Sequence, residues 1–295
     1  MKNEIRYTSS NGIDEIDAII WDCENPKYIL QIAHGMCEYI DRYEPLAKFL
    51  NERNIIVAGN NHLGHGKTAK ILGYFGNGDT LSNVISDINL LSNMLKEKYN
   101  LPIYYLGHSM GSFIMRYYIS KYNVQKCILM GTGHISKFNA RLLYLLSSII
   151  IKIKGEKYVS GLLLNLTTGS YSNKDEGMYD LISYNKENIK NYVEDEFCGY
   201  PFTANGYKTL GQCLVKINDK SNLENTPKDT ALLFISGSDD AVGGFKKGVR
   251  KVYNNYKNLG FKNLELKFYK NMKHEILNEE NNKNVYEKIY EFLEK

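Results

Sequence analysis

The sequence has 295 residues, which is enough for one large domain or for a domain that carries an insertion. Apolar residues make up 43% of it, an ordinary share for a globular protein. The formal net charge is +4 and the lysines are scattered, so the sequence lacks the basic stripe of a nucleic-acid-binding protein. We therefore expect no nucleic-acid partner.

The cysteines indicate a reducing compartment, because they form neither a C-x-x-C motif nor an even set for disulfide pairing. They are Cys23, Cys37, Cys127, Cys198 and Cys213. The first six residues lead into no apolar segment, so no signal peptide is predicted. The longest apolar run, 142–153, is interrupted by polar residues and is too short to span a membrane. A cytoplasmic location is expected.

The first half of the chain alternates between strand and helix patterns. Strands are predicted at 5–8, 16–21, 28–33, 55–58, 103–106 and 126–130. The Asn11-Gly12 pair between the first two strands is a hairpin signal. Amphipathic helices are predicted after the third strand, at 81–99 and directly after Ser109. This alternation predicts a parallel sheet with helices on both faces, preceded by an antiparallel hairpin at its edge.

The alternation stops after the sixth strand. Between about 135 and 205 there are helical and polar segments but no convincing strand. The pattern then resumes, with strands predicted at 231–237 and 264–269 and helices at 249–259 and 285–293. The interpretation is a sheet domain of eight strands formed by residues 1–133 and 206–295, with a helical insertion at 134–205.

A short motif, Gly107-His108-Ser109-Met110-Gly111, lies between a predicted strand and a predicted helix. This is the setting of a G-x-S-x-G nucleophile elbow. A serine on so sharp a turn has strained backbone angles, and the chain passes close to itself two residues before and after it, where glycine has no Cβ to clash. The pattern also occurs by chance, and the alternative is a glycine-rich turn with a solvent-facing serine.

A serine nucleophile needs a base within hydrogen-bond reach and a third group that orients the base. The late strands offer both, because Asp239-Asp240 follows the strand at 231–237 and His274 follows the strand at 264–269. Ser, Asp, His is the order found in α/β-hydrolases. From the residues alone either aspartate is a candidate, since one of the pair can instead cap a helix. His274 can instead be a surface histidine in a Lys/Glu-rich loop.

Acyl transfer also needs two backbone N–H groups that bind the developing oxyanion. Met110, the residue after Ser109, is predicted to supply one of them. The loop after the third strand contains His34-Gly35-Met36, and the N–H of Met36 is predicted to be the second donor. The alternative for this loop is an ordinary turn at a strand end.

Two further sites are considered and not predicted. His62 and His65 are three residues apart, but they flank a glycine in a loop and no carboxylate completes a ligand set, so no metal is expected. Cys37 follows the predicted oxyanion donor, and a small buried thiol is a better interpretation of it than a nucleophile. No cofactor is expected.

Five motifs in a fixed order resemble those of a known family. They are His34-Gly35-Met36-Cys37-Glu38-Tyr39 with Arg42-Tyr43 and Leu46-Ala47, then 61–68, 107–111, 195–200 and 237–240, with His274 after them. The chain resembles the monoacylglycerol lipase and bacterial lysophospholipase branch of the α/β-hydrolases, which are relatives of the serine aminopeptidases. It departs from that branch at Tyr39, Asn61, Thr68 and Glu196, where the branch has histidine, aspartate, serine and proline.

The resemblance implies an α/β-hydrolase fold in which the insertion is a helical lid over the active site. It places the triad acid at Asp240 rather than Asp239. It also implies a small-molecule substrate, namely a monoacylglycerol, a lysophospholipid or another medium-chain carboxylic ester. The predicted reaction is hydrolysis through an acyl-enzyme on Ser109, with His274 as the base.

The insertion is where substrate choice is expected to lie. Four of its apolar residues are predicted to contact the substrate, namely Leu142, Leu145, Leu146 and Ile149. Lys152, Lys154 and Lys157 follow closely. One interpretation is a lid that admits an acyl chain and rests transiently on an anionic membrane surface. The other is that the apolar residues fill a small core of the lid itself.

Two other functions are considered. An aminopeptidase or amidase on the same scaffold needs an acidic anchor for a peptide N-terminus, and the insertion contains Glu187, Glu194, Asp195 and Glu196. A non-catalytic hydrolase-fold protein that binds a ligand has no need of a matched serine, acid and base, which counts against it.

Overall fold

A computed structural model describes residues 1–169 and 179–295. Eight strands form one sheet, and each predicted strand is present with ends that differ by a few residues. The strands are β1 Lys2–Thr8, β2 Glu15–Trp21, β3 Tyr28–Ala33, β4 Ile55–Asn60, β5 Ile103–His108, β6 Lys126–Met130, β7 Ala231–Gly237 and β8 Leu264–Tyr269.

The strand order in the sheet is β1-β2-β4-β3-β5-β6-β7-β8. β1 and β2 form the predicted antiparallel hairpin, β2 pairs antiparallel with β4, and the strands from β3 to β8 are parallel. β3 and β4 are buried along their whole length, which explains why their sequences are apolar on both faces. The predicted α/β-hydrolase sheet is therefore confirmed.

Helices cover both faces of the sheet, as predicted. The described helices are α1 Glu44–Asn51, α2 Thr80–Tyr99, α3 Met110–Tyr118, α4 Lys137–Lys154, α5 Gly161–Leu164, α6 Lys186–Glu194, α7 Ala204–Ile217, α8 Lys220–Asn225, α9 Lys247–Asn258 and α10 Lys283–Glu294. Apolar residues of α1 and α10 pack in one buried cluster, whereas those of α2, α3 and α9 pack in another. The parallel strands thus end in loops at one edge of a sheet that is covered on both sides.

The chain between β6 and β7 contains helices α4 to α8 and, among its described residues, no strand beyond an isolated bridge of Val159 with Thr203. α7 packs against both α3 and α4. Its contact with α4 is close, because a Cβ at Gly211 would lie 2.8 Å from the backbone nitrogen of Tyr144. The division at 134–205 stays a prediction; the helix that begins at its end packs against the sheet domain as well as the insertion.

α4 is an apolar helix with little of its surface buried. It begins after Ser136, whose hydroxyl accepts a hydrogen bond from the N–H of Asn139, and it ends at Lys154, directly before Gly155. Only Ala140, Leu143 and Ser147 are buried along its 18 residues. None of the described helices combines the length and apolar character that crossing a bilayer requires.

Candidate active site

Ser109 lies on the turn between β5 and α3, as predicted. Its backbone angles, φ 52° and ψ −118°, fall in a region that residues other than glycine rarely adopt. A Cβ at Gly107 would clash with the carbonyl group of Gly111, and a Cβ at Gly111 would clash with that of Ala33. The predicted strain and the predicted crowding at both glycines are therefore confirmed.

The loops after β7 and β8 bring two of the predicted side chains to this turn. The Nε2 atom of His274 lies 2.8 Å from the hydroxyl oxygen of Ser109. The Nδ1 atom of His274 lies 2.9 Å from a carboxylate oxygen of Asp240. Because a carboxylate only accepts, Nδ1 carries the proton and Nε2 is free to accept the proton of Ser109. The surface position considered for His274 is excluded, since the residue is buried.

Asp239 and Asp240, between which the residues alone could not decide, lie in different surroundings. Asp240 is fully buried and also accepts hydrogen bonds from the Ser236 hydroxyl at 2.9 Å and the Gly243 N–H at 3.1 Å. Asp239 instead accepts a hydrogen bond from Tyr184 at 3.0 Å. The structure thus places Asp240, and not Asp239, against the imidazole.

The pKa of Asp240 is lowered, which keeps its carboxylate ionised, and the pKa of His274 is raised, which makes its imidazole more basic. Burial by itself would raise the pKa of the Asp240 carboxyl, but His274 and the hydrogen bonds from Gly243 and Ser236 hold it below its ordinary value. Burial would lower the pKa of His274, but the adjacent Asp240 raises it above its ordinary value. Asp240 therefore makes the imidazole a stronger base.

Met36 and Met110, the predicted oxyanion donors, both line the cavity that contains Ser109. The loop of Met36 lies beside Ser109, since a Cβ at Gly35 would be 3.2 Å from the Cβ of Ser109. Met110 is the first residue of α3, where backbone N–H groups have no partner within the helix. Within the described residues, no side chain and no loop carbonyl accepts a hydrogen bond from either N–H.

A buried network of charged side chains lies behind the turn. Glu38 accepts hydrogen bonds from the Gly35 N–H at 2.5 Å and from His108 Nδ1 at 2.9 Å. Arg42 donates to Glu38 at 3.0 Å and to both oxygens of Glu275 at 2.7 Å. The sequence pattern predicted no role for these side chains; the only signal was the presence of Glu38 and Arg42 in a family motif.

His108 and Arg42 keep the pKa of Glu38 low, and Arg42 keeps that of Glu275 low, so both carboxylates of this network are ionised. Burial would raise the pKa of Glu38, but the hydrogen bond from His108 and the charge of Arg42 lower it below its ordinary value. Burial would likewise raise the pKa of Glu275, but Arg42 lowers it to about 2. The network therefore joins the loop of Met36 to the residue after His274 through an ionised, fully hydrogen-bonded chain.

A cavity of about 450 Å³ opens beside Ser109, and its described lining is mostly apolar. Of the four lid residues predicted to contact the substrate, only Leu142 belongs to this lining. Leu145, Leu146 and Ile149 lie outside the described lining, and their contact with the substrate stays a prediction. α4 covers the cavity only with its first turns, through Asn139, Leu142 and Leu143, and then extends beyond it.

Three histidines and one cysteine near the site are buried, and none of them is hydrogen-bonded to the side chain of Ser109, His274 or Asp240 in the described structure. Within the described residues, no group of three or more side chains could hold a metal ion. His34, His62 and His65 pack against one another, with the rings of His34 and His62 4.1 Å apart. Cys37 is buried as well, and burial raises the pKa of its thiol well above the ordinary value, which keeps it protonated.

The histidine cluster makes the fold sensitive to acid. Burial and the neighbouring rings lower the pKa of His34, and burial lowers that of His62 to about 3 and that of His65 to about 4. Below about pH 6.5 the unfolded chain therefore binds protons that the folded chain does not. Each such histidine then removes up to about 1.4 kcal/mol from the free energy of unfolding per pH unit, with the full slope reached well below pH 6.5.

We expect the urea midpoint of unfolding to fall steeply between pH 7 and pH 5. His274, whose pKa is raised, opposes this trend, but the three lowered histidines outweigh it. The measurement is equilibrium urea unfolding at several pH values, with His62→Phe as the control. That variant removes one of the three groups and should make the pH dependence shallower; an equally steep or inverted dependence would contradict the assignment.

Comparison with known proteins gives a family and several relatives. The sequence profile of the family described as serine aminopeptidase, S33, matches residues 24–281. Human monoglyceride lipase is 32% identical over 97 residues, which are 30% of this chain and 29% of the human protein. Mouse monoglyceride lipase is 24% identical over 187 residues, or 58% of this chain and 52% of the mouse protein. The aligned part thus spans only about a third to a half of these relatives.

Solved structures match over the whole chain. An open form of a lipase has a TM-score of 0.91 at 25% identity and covers 100% of this chain and 98% of its own. A thermostable carboxyl esterase from Bacillus coagulans, in complex with glycerol, has a TM-score of 0.91 at 27% identity and covers 99% and 98%. A soluble variant of the Saccharomyces cerevisiae monoglyceride lipase shares the fold, with a TM-score of 0.78 at 17% identity and coverage of 100% and 94%.

Proposed function

The chain belongs to the serine aminopeptidase, S33, family, and from this premise we propose that it is a serine hydrolase of lipid-like carboxylic esters, of the monoacylglycerol or lysophospholipid class. The observation that carries the proposal is the hydrogen-bonded series from Ser109 through His274 to Asp240, with distances of 2.8 and 2.9 Å. It supplies a nucleophile, a base and an orienting acid in one place.

In the proposed mechanism, the hydroxyl oxygen of Ser109 attacks the ester carbonyl carbon while its proton passes to Nε2 of His274. The N–H groups of Met36 and Met110 bind the oxyanion that forms. The bond to the alcohol oxygen then breaks, and His274 returns the proton to the leaving alcohol. Water attacks the acyl group on Ser109 by the same sequence, which releases the carboxylic acid and restores the serine.

The lining of the cavity supports an acyl chain as the group bound beside Ser109. Leu142, Leu143 and Leu166 contribute apolar side chains from the insertion, and Leu210 and Leu214 contribute them from α7. Each methylene buried there contributes about 0.8 kcal/mol. The relatives named monoglyceride lipases, and the esterase bound to glycerol, support an ester of a small polyol.

The aminopeptidase alternative lacks a charged anchor in the described part of the cavity. Its described lining contains two carboxylates, Glu38 and Glu275, and both are already paired with Arg42. The acidic residues of the insertion that could have bound a peptide N-terminus are Glu187, Glu194, Asp195 and Glu196, and none of them belongs to that lining. An uncharged ester therefore fits this cavity better than a cationic peptide end.

The test compares p-nitrophenyl esters of increasing chain length with aminoacyl p-nitroanilides. We expect kcat/KM to rise from acetate to octanoate, by up to about fourfold per buried methylene. The anilides should not be cleaved measurably. Faster cleavage of the anilides would support the aminopeptidase, and no turnover of any activated ester would support a non-catalytic ligand-binding protein. Monoacylglycerols and lysophospholipids of the preferred chain length then separate the two head groups.

We further propose that residues 134–205 act as the lid and rest on an anionic lipid bilayer. One side of α4 carries a row of exposed apolar side chains at helical spacing, namely Phe138, Leu142, Leu145, Ile149 and Ile153. Leu145 is 57% exposed and Ile149 is 51% exposed, which contradicts the interpretation that they fill a core of the lid. Exposed Lys152, Lys154 and Lys157 lie around the C-terminal end of this row and supply the complementary charge.

Vesicle sedimentation tests the membrane contact. The protein should sediment with vesicles that contain phosphatidylglycerol and much less with vesicles of phosphatidylcholine alone. Ile149→Asp should abolish sedimentation, because a charge then enters the apolar row. Ile13→Asp is the matched control, since Ile13 is an exposed apolar residue of the β1–β2 turn and should have no effect. Unchanged sedimentation of Ile149→Asp would refute the contact.

A further inference from the structure

The peptide that carries the Met36 N–H is held from both ends. A peptide unit is planar, so the direction of the Met36 N–H is fixed by that of the Gly35 carbonyl, to which it is joined. The Gly35 carbonyl oxygen lies 2.8 Å from Nδ1 of His34. On the other side of the same residue, the Gly35 N–H donates to Glu38 at 2.5 Å. Both peptide groups that flank this glycine therefore have a buried side chain as a partner.

The bond from His34 requires one tautomer, which the surroundings specify. A carbonyl oxygen only accepts, so Nδ1 of His34 carries the proton. Nε2 accepts a hydrogen bond from the backbone N–H of His62 at 3.0 Å. His34 is completely buried, and burial lowers its pKa well below the ordinary value. The ring thus stays neutral, with its single proton directed at the Gly35 carbonyl.

Glu38 is fixed in the same way by groups outside the loop. Its carboxylate accepts hydrogen bonds from the Tyr43 hydroxyl at 2.9 Å, from Arg42 at 3.0 Å and from His108 at 2.9 Å. His108 directly precedes the nucleophile, so one carboxylate contacts both the loop of Met36 and the elbow of Ser109. The position of the loop relative to the nucleophile is thereby set by Glu38.

A glycine needs such partners at this point. Any side chain at 35 would clash with the Glu38 carboxylate and would press on Ser109, so the position requires glycine. Glycine also has the widest range of backbone angles, and an unrestrained Gly35–Met36 peptide could rotate its N–H away from the oxyanion. A donor that must be aimed before the reaction begins therefore depends on bonds made by its neighbours.

We propose that His34 and Glu38 are positioning residues that aim the Met36 N–H at the oxyanion, His34 through the Gly35 carbonyl and Glu38 through the Gly35 N–H. This inference rests on the proposed function, because it assumes ester hydrolysis through an oxyanion. It assigns neither residue any contact with the substrate. Their effect should therefore appear in the transition state and not in ground-state binding.

Substitutions of His34 distinguish positioning from simple packing. His34→Leu removes the donor and should lower kcat by about 10²–10³, the loss expected when one oxyanion donor is missing, with little change in KM. His34→Asn should recover most of kcat, because its amide nitrogen lies close to the place of Nδ1. His34→Gln places its amide nitrogen near Nε2 instead and should recover much less. If the side chain at 34 only had to fill space, His34→Gln would be more active than His34→Asn, since glutamine fills the site better.

Boronic acids supply the second measurement, because their tetrahedral adduct with serine places an oxygen where the oxyanion forms. The boronate inhibition constant should rise by the same factor by which kcat/KM falls, across His34→Leu, His34→Asn, His34→Gln and Glu38→Gln. Rates are counted per site by titration with a fluorophosphonate. His62→Phe is the control. Both ring nitrogens of His62 lack hydrogen-bond partners in the described structure, and a phenylalanine ring there keeps the packing against the ring of His34.

Failure of the positioning role and failure of the proposed function give different results. If the unmodified protein hydrolyses esters but His34→Leu retains kcat within threefold, or His34→Gln is as active as His34→Asn, the positioning role is refuted. The same follows if kcat falls while boronate affinity is unchanged. If the unmodified protein hydrolyses no ester and is not labelled by the fluorophosphonate, the proposed function itself fails. Should His34→Leu not fold, the order of the asparagine and glutamine variants decides.

Discussion

Replacement of Ser109 by alanine is expected to lower kcat for ester hydrolysis by about 10⁶ and to abolish labelling by a fluorophosphonate. The hydroxyl that lies 2.8 Å from His274 is then absent, so no acyl-enzyme can form. The binding of substrate should change little, because the cavity lining keeps its apolar side chains. Steady-state kinetics and gel detection of a fluorescent fluorophosphonate give the two measurements.

Ser120→Ala is the matched control for that result. Ser120 follows the other end of α3, and its hydroxyl donates to the Tyr117 carbonyl at 2.7 Å, far along the helix from the elbow. Its replacement should leave both labelling and kcat unchanged. Persistent labelling of Ser109→Ala would show that another residue is the nucleophile, and the proposed mechanism would then be wrong.

The parts of this protein that could be predicted from sequence are those specified by neighbouring residues. The Asn11-Gly12 turn joins β1 and β2, and the apolar runs of β3 and β4 are buried on both faces. The turn at Ser109 is partly local, since a Cβ at Gly107 would clash with Gly111 in the same strand–turn–helix unit, whereas the crowding at Gly111 comes from Ala33 of β3. Apart from that contact with β3, the residues that cause each of these features lie within a few positions of it.

The remainder depends on contacts between distant parts of the chain. Arg42 pairs with Glu275, 233 positions away, and neither residue differs in sequence from a solvated surface charge. The choice of Asp240 over Asp239 likewise depends on Ser236 and Gly243, which turn its carboxylate toward His274. Leu142 and Ile149 have similar sequence surroundings, but only the first lies over the cavity. Spacing along a helix cannot indicate where the helix leaves a cavity.

Asp240→Asn is expected to lower kcat by about 10⁴ at neutral pH. The carboxylate now accepts the proton on Nδ1 of His274, which leaves Nε2 free to receive the proton of Ser109. An amide nitrogen in that place donates to Nδ1 instead, so the proton of the imidazole moves to Nε2 and His274 cannot act as the base. The imidazolium also loses the negative charge that stabilises it.

Asp239→Asn separates this effect from a general change in the loop. Asp239 precedes Asp240 but accepts hydrogen bonds from Tyr184 and Ser238, away from the imidazole, so the variant should keep its kcat within a fewfold of the original. Stopped assays of kcat on one ester, with sites counted by fluorophosphonate, measure both variants. A loss of about 10⁴ in Asp239→Asn and not in Asp240→Asn would move the acid by one residue. Equal small losses in both would mean that the orientation of His274 does not depend on either carboxylate, since the charge and the hydrogen bond that distinguish Asp240 would then have no effect on the reaction.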